Sequence, residues 1–266
     1  MPEIAINGCN VAYEEHGTGL NTVVFLHDLF FNGRCFNQQI LALRDRFRCI
    51  TIDLRGHGES RVTAEGYALD TLAHDVTQFI DVKRFGACHV VGAGFGGTVA
   101  ARAALTRPSL IKSLTLIGTS LNTCSDRDLQ ALKSRRLHIK LFGLRFVTKS
   151  LLRRAFSPAF LNDPNNKEVL QHWQREFLKL DRRELPHAIA AYMVRPRLLD
   201  ALYTLKLPTL ILGGDSDSVV TPDDLMQVDN RLAHSALEIL TDTGRAAHIE
   251  KPNTLNPFLL EFLSRL

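Results

Sequence analysis

Val90-Val91-Gly92-Ala93-Gly94-Phe95-Gly96-Gly97 is the stretch of this 266-residue chain that decides its fold. The valines belong to a short apolar run, which is typical of a strand buried on both faces of a sheet. The glycines after them allow a tight turn and a close approach of the following helix to the sheet. The stretch therefore predicts a strand that turns sharply at Gly94 and continues as a helix.

Apolar runs and helical patterns alternate along the rest of the chain. Strands are predicted at residues 4–6, 11–13, 22–26, 48–52, 88–91, 114–117, 209–212 and 237–240. Helices are predicted at residues 35–44, 69–83, 96–106, 222–232 and 254–265. Such alternation predicts an α/β fold with a mostly parallel sheet flanked by helices.

One long interval, residues 122–206, has no convincing strand. Helices are predicted there near residues 126–140, 144–155, 166–179 and 184–202. We predict that this interval is a helical cap, inserted after the sixth strand of a core formed by residues 1–121 and 207–266. Most of its aromatic side chains are expected in the cap interior, and some are expected to line an apolar pocket above Gly94.

The composition is that of an ordinary globular protein, with 45% hydrophobic and 23% charged residues. No apolar run approaches the roughly 20 residues that a membrane span needs, and the first residues do not have the pattern of a secretory signal. The five cysteines show no C-x-x-C spacing, which favours isolated thiols in a reducing cytoplasm. We expect a cytoplasmic protein with no metal, no other cofactor and no membrane association.

The segment between Arg127 and Arg154 is strongly basic, since it holds nine lysines and arginines and only one acid, Asp128. A segment of this kind raises the local concentration of anions. It is either a solvated helix face or a surface that attracts an acidic substrate or an acidic carrier protein. Nucleic acid is not expected as a partner.

Four further stretches, together with residues 90–97, resemble motifs of the α/β-hydrolase superfamily. They are Phe25–Leu29, Asp53–Ser60, Gly213–Pro222 and Gly244–Pro252. In that family the turn at the centre of residues 90–97 is the nucleophile elbow, G-x-S-x-G. Five motifs in the right order and with the right spacing make the resemblance specific, and it covers nearly the whole chain. It implies the α/β-hydrolase fold.

Catalysis in that family uses a serine nucleophile, a histidine base and an acid that orients the histidine. The resemblance assigns the acid position to Asp217, the nucleophile position to Gly94 and the histidine position to Arg245. Two of the three catalytic groups are therefore missing. His248 and Cys124 are interpreted as a packing residue and an inert thiol rather than as replacements.

The resemblance also implies an oxyanion hole formed by the backbone N–H groups of Leu29 and Phe95. Asp28 stands where the family has a small residue, and it could pair with Arg245, act as a general base or point to solvent. A guanidinium cannot act as a base because it stays protonated. Arg245 is therefore interpreted either as the partner of Asp217 in an ion pair or as a group that holds a substrate carboxylate or a developing negative charge.

Three functions are compatible with these residues. The first is a non-hydrolytic enzyme, an isomerase, epimerase, lyase or cyclase, with Asp28, Asp217 and Arg245 as its catalytic residues. The second is an inactivated ester, lactone or C–C bond hydrolase, and the third is a pseudoenzyme that binds a small molecule. The intact strands and turns favour a retained role. The expected ligand is a small molecule that carries a carboxylate or an acyl thioester, and Gly94→Ser with Arg245→His is expected to restore weak esterase activity.

Overall fold

The computed structural model describes residues 1–266 and is built around one eight-stranded sheet. The strands are β1 (Glu3–Ile6), β2 (Cys9–His16), β3 (Thr22–Leu26), β4 (Arg48–Ile52), β5 (Cys88–Ala93), β6 (Ile111–Ile117), β7 (Thr209–Gly214) and β8 (Ser235–Leu240). Their spatial order is β1-β2-β4-β3-β5-β6-β7-β8. Only β2 runs antiparallel to its neighbours β1 and β4, and all other pairs are parallel. The predicted α/β class with a mostly parallel sheet is confirmed.

Helices connect the strands and cover the sheet. They are α1 (Asn37–Leu43), α2 (Leu69–Lys83), α3 (Phe95–Thr106), α4 (Asp126–Phe142), α5 (Thr148–Ala155), α6 (Pro158–Asn162), α7 (Lys167–Lys179), α8 (Leu185–Met193), α9 (Pro222–Asp229), α10 (Ala247–Glu250) and α11 (Pro252–Ser264). Helix α2 packs against α3, and α1 packs against α11. Every residue of the central strands β3, β5 and β7 is buried, as expected for parallel strands covered on both faces.

The segment between β6 and β7 contains helices α4 to α8 and no strand. Helix α4 packs against α8, and α5 packs against α7. The exact division into a core (1–121 and 207–266) and a cap (122–206) stays a prediction. None of the helices combines the length and the apolar character that crossing a bilayer requires.

The predicted helix over residues 184–202 is wrong in its second half. Helix α8 ends at Met193, and only a short 3-10 turn follows, at Leu199–Thr204. Pro196 explains the break, because proline lacks an N–H donor and disfavours the helical conformation of the residue before it. Helix α6 was not predicted, although Ser157 at its N-cap and Pro158 at its first position are ordinary signals for a helix start.

Candidate active site

Gly94 forms the sharp turn between β5 and α3. Its φ of 52° and ψ of −114° lie in a region that side-chain-bearing residues rarely adopt. Its N–H donates to the carbonyl of Ile117 at 2.8 Å, which ties the turn to the end of the neighbouring strand β6. A Cβ atom placed on Gly94 would overlap the carboxyl group of Asp28. The space of the missing side chain is therefore filled by Asp28.

The Asp28 carboxylate lies where the resemblance places the oxyanion hole. Its Oδ1 accepts the N–H of Leu29 at 2.8 Å and the N–H of Phe95 at 2.6 Å. These are the two backbone donors that the sequence resemblance assigns to the hole. Both N–H groups converge on one point, and the protein's own carboxylate occupies it; their role as an oxyanion hole stays a prediction.

Arg245 completes an ion pair with this carboxylate. Its Nε donates to Asp28 Oδ2 at 2.6 Å, and its Nη2 lies 3.4 Å from Oδ1. The nearest approach to Asp217 is longer, 3.8 Å from Nη1 to Oδ2, and makes no hydrogen bond. The sequence left both Asp28 and Asp217 as possible partners of Arg245. Asp28 is the main partner, and Asp217 is secondary. Arg245 is only 4% exposed, so its guanidinium is not free to hold a substrate carboxylate in this conformation.

Burial and charge act differently on the two carboxyl groups. Burial opposes ionisation of Asp28, but the Arg245 guanidinium and the N–H of Phe95 outweigh it and hold the pKa of Asp28 well below its usual range. Burial dominates at Asp217 and raises its pKa to about 6, because Arg245 and the N–H groups of Val219 and Val220 offset the burial only in part. Asp28 is therefore a weak base, whereas Asp217, with a pKa of about 6, is a stronger one.

Neighbouring groups fix the segments that carry these residues. His27 Nε2 accepts the N–H of Leu54 at 2.9 Å, so its Nδ1 carries the proton and donates to the carbonyl of Asp28 at 2.8 Å. The Glu250 carboxylate accepts the N–H groups of Gly244 and Ser157 at 2.9 and 3.0 Å. It thereby joins the loop that bears Arg245 to the cap.

The two alternative catalytic groups do not join this cluster. His248 is buried, its ring stacks on Phe36 at 4.9 Å, and neither ring nitrogen has a hydrogen-bond partner. Burial lowers the pKa of His248 to about 4. Burial also raises the pKa of the Cys124 thiol, which lies 2.9 Å from Arg195 Nη1. Both observations support the interpretation of these residues as structural.

The cap closes over the cluster. The ring of Tyr192 packs edge-on against Phe95, with centroids 5.1 Å apart, and Trp173 and Phe177 pack edge-on against Phe31. Gly94, Asp28 and Arg245 line none of five surface cavities, whose volumes run from about 10 to about 700 Å³. The apolar pocket that the sequence predicted above Gly94 is not among them. Three aromatic side chains of the cap pack instead against residues that follow Gly94 and Leu29, namely Tyr192 against Phe95, and Trp173 and Phe177 against Phe31.

The sequence named Asp28, Gly94 and Arg245 and left open a pairing of Asp28 with Arg245, but it did not place the Asp28 carboxylate in the space beside Gly94. A usable signal was present: a side chain is lost at Gly94 while one is gained at Asp28. No group of His, Cys, Asp and Glu side chains is arranged to hold a metal ion. The absence of a cofactor stays a prediction.

The chain is similar to known hydrolases both in sequence and in structure. The chain is 26% identical over 235 residues to 3-oxoadipate enol-lactonase 2 of Acinetobacter baylyi, which covers 88% of this chain and 85% of that protein. It is also 26% identical to the pimeloyl-[acyl-carrier protein] methyl ester esterase of Aeromonas hydrophila, over 96% of this chain and 99% of that protein. The structure of a thermophilic esterase from Thermogutta terrifontis superposes with a TM-score of 0.92 over 100% of this chain and 99% of that chain, at 23% identity.

The named relatives are hydrolases, and the structural likeness covers both the sheet and the cap. The sequence profile described as alpha/beta hydrolase fold matches residues 21–252, which is most of the chain. The five motifs, the strand order and these comparisons agree, and the chain belongs to the α/β-hydrolase family.

Proposed function

We propose that this protein is a non-hydrolytic member of its family. The observation that carries the proposal is the Asp28 carboxylate, which accepts both oxyanion-hole N–H groups and pairs with Arg245. An ester or lactone could not place its carbonyl oxygen in the hole while Asp28 remains there. The relatives named above are hydrolases, so we attribute the proposed loss of hydrolysis to residues of this chain itself.

The chain lacks a nucleophile, a base and free oxyanion donors, the groups that serine hydrolase chemistry needs. No atom at Gly94 can attack an acyl carbon, and Arg245 cannot accept a proton. Stabilisation of the tetrahedral oxyanion needs free donors at hydrogen-bond distance, and those donors are engaged. Asp217 keeps the position of the acid but has no histidine to orient.

Among the non-hydrolytic alternatives, we favour a protein that binds a small molecule without transforming it. Asp28, Gly94 and Arg245 fit one another in volume and in charge. The Asp28 carboxyl group fills the space beside Gly94, and the Arg245 guanidinium neutralises the charge of that carboxylate. A decayed hydrolase would have no reason to combine these changes. Asp28 is also held ionised with a low pKa, which makes it a poor general base.

A proton-transfer enzyme, the isomerase, epimerase, lyase or cyclase of the sequence interpretation, is the second candidate. Asp217 favours it, because its pKa of about 6 suits proton transfer at neutral pH. Its Oδ2 is also buried without a hydrogen-bond partner. A substrate would have to displace Asp28 to use the oxyanion donors. Carboxylic acids and acyl thioesters are the substrate classes we propose for it.

The hydrolysis test uses p-nitrophenyl acetate and butyrate with the purified protein. We expect no turnover above that of Asp217→Asn, since no residue supplies a nucleophile. Turnover that is abolished by Asp217→Asn and kept by the exposed control Asp223→Asn would overturn the proposal.

For the second candidate, α-proton exchange of small acids and acyl thioesters in D₂O is followed by NMR. Exchange that Asp217→Asn abolishes and Asp223→Asn keeps would establish it.

The cap surface suggests a protein partner. Helix α4 and the following turn expose Leu137, Leu141, Phe142 and Phe146, which are 56–70% accessible. Lys140, Arg145 and Lys149 belong to the same stretch and are exposed too. We propose that an acidic carrier protein docks here, as one relative acts on an ester linked to an acyl carrier protein. Calorimetry with an acidic acyl carrier protein should show binding that Phe146→Ala weakens and Leu20→Ala, on a distant loop, does not. A cytoplasmic location stays a prediction.

A further inference from the structure

A cavity of about 290 Å³ lies between helices α4 and α5 and the loop after β7. It is separate from the closed cluster around Gly94. Four arginines line it, Arg127, Arg135, Arg153 and Arg154, together with a single acid, Asp128. The charged side chains of the wall therefore leave three positive charges unbalanced.

Only one of the four arginines is neutralised within the protein. Arg154 is buried and forms a two-point ion pair with Asp128, through Nη1 to Oδ1 and Nη2 to Oδ2. Arg127, Arg135 and Arg153 have no acidic partner within 4 Å among the ion pairs of the structure. The cavity thus presents charge that no protein group offsets.

Arg135 gives the strongest indication that the cavity binds a ligand. Its Nε donates to Ser150 Oγ at 3.3 Å, while its Nη1 is buried and has no hydrogen-bond partner. Burial, and secondarily the charge of Arg154, lowers the pKa of Arg135. A buried donor without a partner is destabilising unless a ligand satisfies it.

We propose that this cavity binds the phosphate group of a small phosphorylated molecule. Guanidinium groups match phosphate oxygens through paired hydrogen bonds. A dianionic phosphate compensates most of the unbalanced charge, and a single carboxylate compensates less. A cavity near 300 Å³ is at the small end of ligand sites, so the ligand is a compact phosphate monoester.

One wall of the cavity is formed by the loop that also holds Asp217. Ser218 and Val219 line it, and the N–H of Val219 donates to Asp217 Oδ1 at 2.7 Å. The charge of Arg154 also favours the ionised forms of Asp217 and Asp28. A bound phosphate would add negative charge near Asp217 and favour its protonated form. The assignment does not depend on whether the protein hydrolyses esters.

The test is calorimetric titration of the full-length protein with inorganic phosphate and with glycerol 3-phosphate, at an ionic strength held constant with chloride. We expect saturable binding of both at one site. Arg153→Gln and Arg135→Gln should each weaken it about tenfold or more, as the loss of a charge-assisted hydrogen bond implies. Arg153 is exposed, so its variant tests the site even if Arg135→Gln impairs folding.

Lys133→Gln is the matched control, because Lys133 is exposed on the same basic segment and does not line the cavity. It should leave the affinity unchanged. An equal loss in Lys133→Gln, or no saturation in the unaltered protein, would show only nonspecific attraction and overturn the proposal. Succinate that binds as tightly as phosphate would overturn the assignment to phosphate, and failure of glycerol 3-phosphate to bind would overturn the assignment to a monoester.

Discussion

At the scale of single residues, Gly94, Asp28 and Arg245 form one interdependent unit. The carboxyl group of Asp28 needs the volume that a side chain at Gly94 would take. Its charge, buried from water, needs the guanidinium of Arg245, since an unpaired buried charge is strongly destabilising. Sequence alone identified all three positions as departures from the family pattern. It could not decide between the conformations of Asp28, because the choice depends on distances between three strand ends that are far apart in the chain.

Asp28→Gly should destabilise the protein by about 3–5 kcal/mol, the usual cost of removing one partner of a buried ion pair. The change leaves Arg245 buried with only Asp217 at 3.8 Å, and it frees the N–H groups of Leu29 and Phe95. Equilibrium unfolding in urea measures the free-energy change. Adding Arg245→Met should recover part of the loss, because the isolated charge is then removed.

Asp70→Ala is the control for that measurement, since Asp70 forms an exposed ion pair with Arg102 at the surface. It should cost less than about 1 kcal/mol. If Asp28→Gly costs no more than this control, the buried pair does not contribute as its geometry implies.

Asp217 should give the stability a distinct pH dependence. Its pKa rises from 3.8 to about 6 on folding, so the folded state holds this proton more tightly than the unfolded state does. The contribution of Asp217 is therefore fully present below about pH 4 and falls by on the order of 3 kcal/mol as the pH rises through 6. The free energy of unfolding of the unaltered protein, minus that of Asp217→Asn, should decrease between pH 4 and pH 7. A difference that stays flat or increases would contradict the raised pKa.

At the scale of elements, the sequence predicted the sheet better than the cap. Each central strand is a short, mostly apolar run, and parallel strands buried on both faces have that pattern wherever they occur. The cap helices are held by contacts with one another and with the core, so their ends depend on tertiary packing. Pro196 could have corrected the overlong helix at 184–202, whereas the closure of Tyr192 over Phe95 had no local signal.

The link between cap and core predicts a further outcome at Glu250. Its carboxylate accepts the N–H groups of Gly244 and Ser157 and the hydroxyl of Ser157. Glu250→Ala should cost roughly 2–4 kcal/mol, because buried donors lose their acceptor. Glu250→Gln keeps one carbonyl acceptor and should cost less than half as much. Thermal unfolding gives the order of the variants, and proteolysis of the cap should accelerate in Glu250→Ala alone. Equal stability of the two variants would contradict a linking role.

At the scale of the whole molecule, the hydrolase fold is intact, but the nucleophile and the base are absent and the N–H groups of Leu29 and Phe95 are engaged by Asp28. The N–H groups of Leu29 and Phe95 point at one oxygen, Asp217 lies where the resemblance assigns the acid, and the whole chain superposes on a thermophilic esterase with a TM-score of 0.92. Restoring the nucleophile and the base alone leaves the carboxylate in the hole. The side chain at position 94 would also collide with it. The double change Gly94→Ser with Arg245→His, expected from the sequence to restore activity, should therefore fail or misfold.

The triple change Asp28→Gly, Gly94→Ser and Arg245→His should restore esterase activity. It removes the collision, frees both oxyanion donors and supplies the nucleophile and the base next to Asp217. Since loss of one oxyanion donor costs about 10²–10³-fold in rate, the triple variant should exceed the double variant by at least about 10²-fold on p-nitrophenyl acetate. Adding Asp217→Asn should reduce the restored activity, because the histidine loses its orienting acid. A folded triple variant no faster than the double variant would mean that the Asp28 carboxylate is not the obstacle. The closed cap, with Tyr192 packed on Phe95, would then be what excludes the ester.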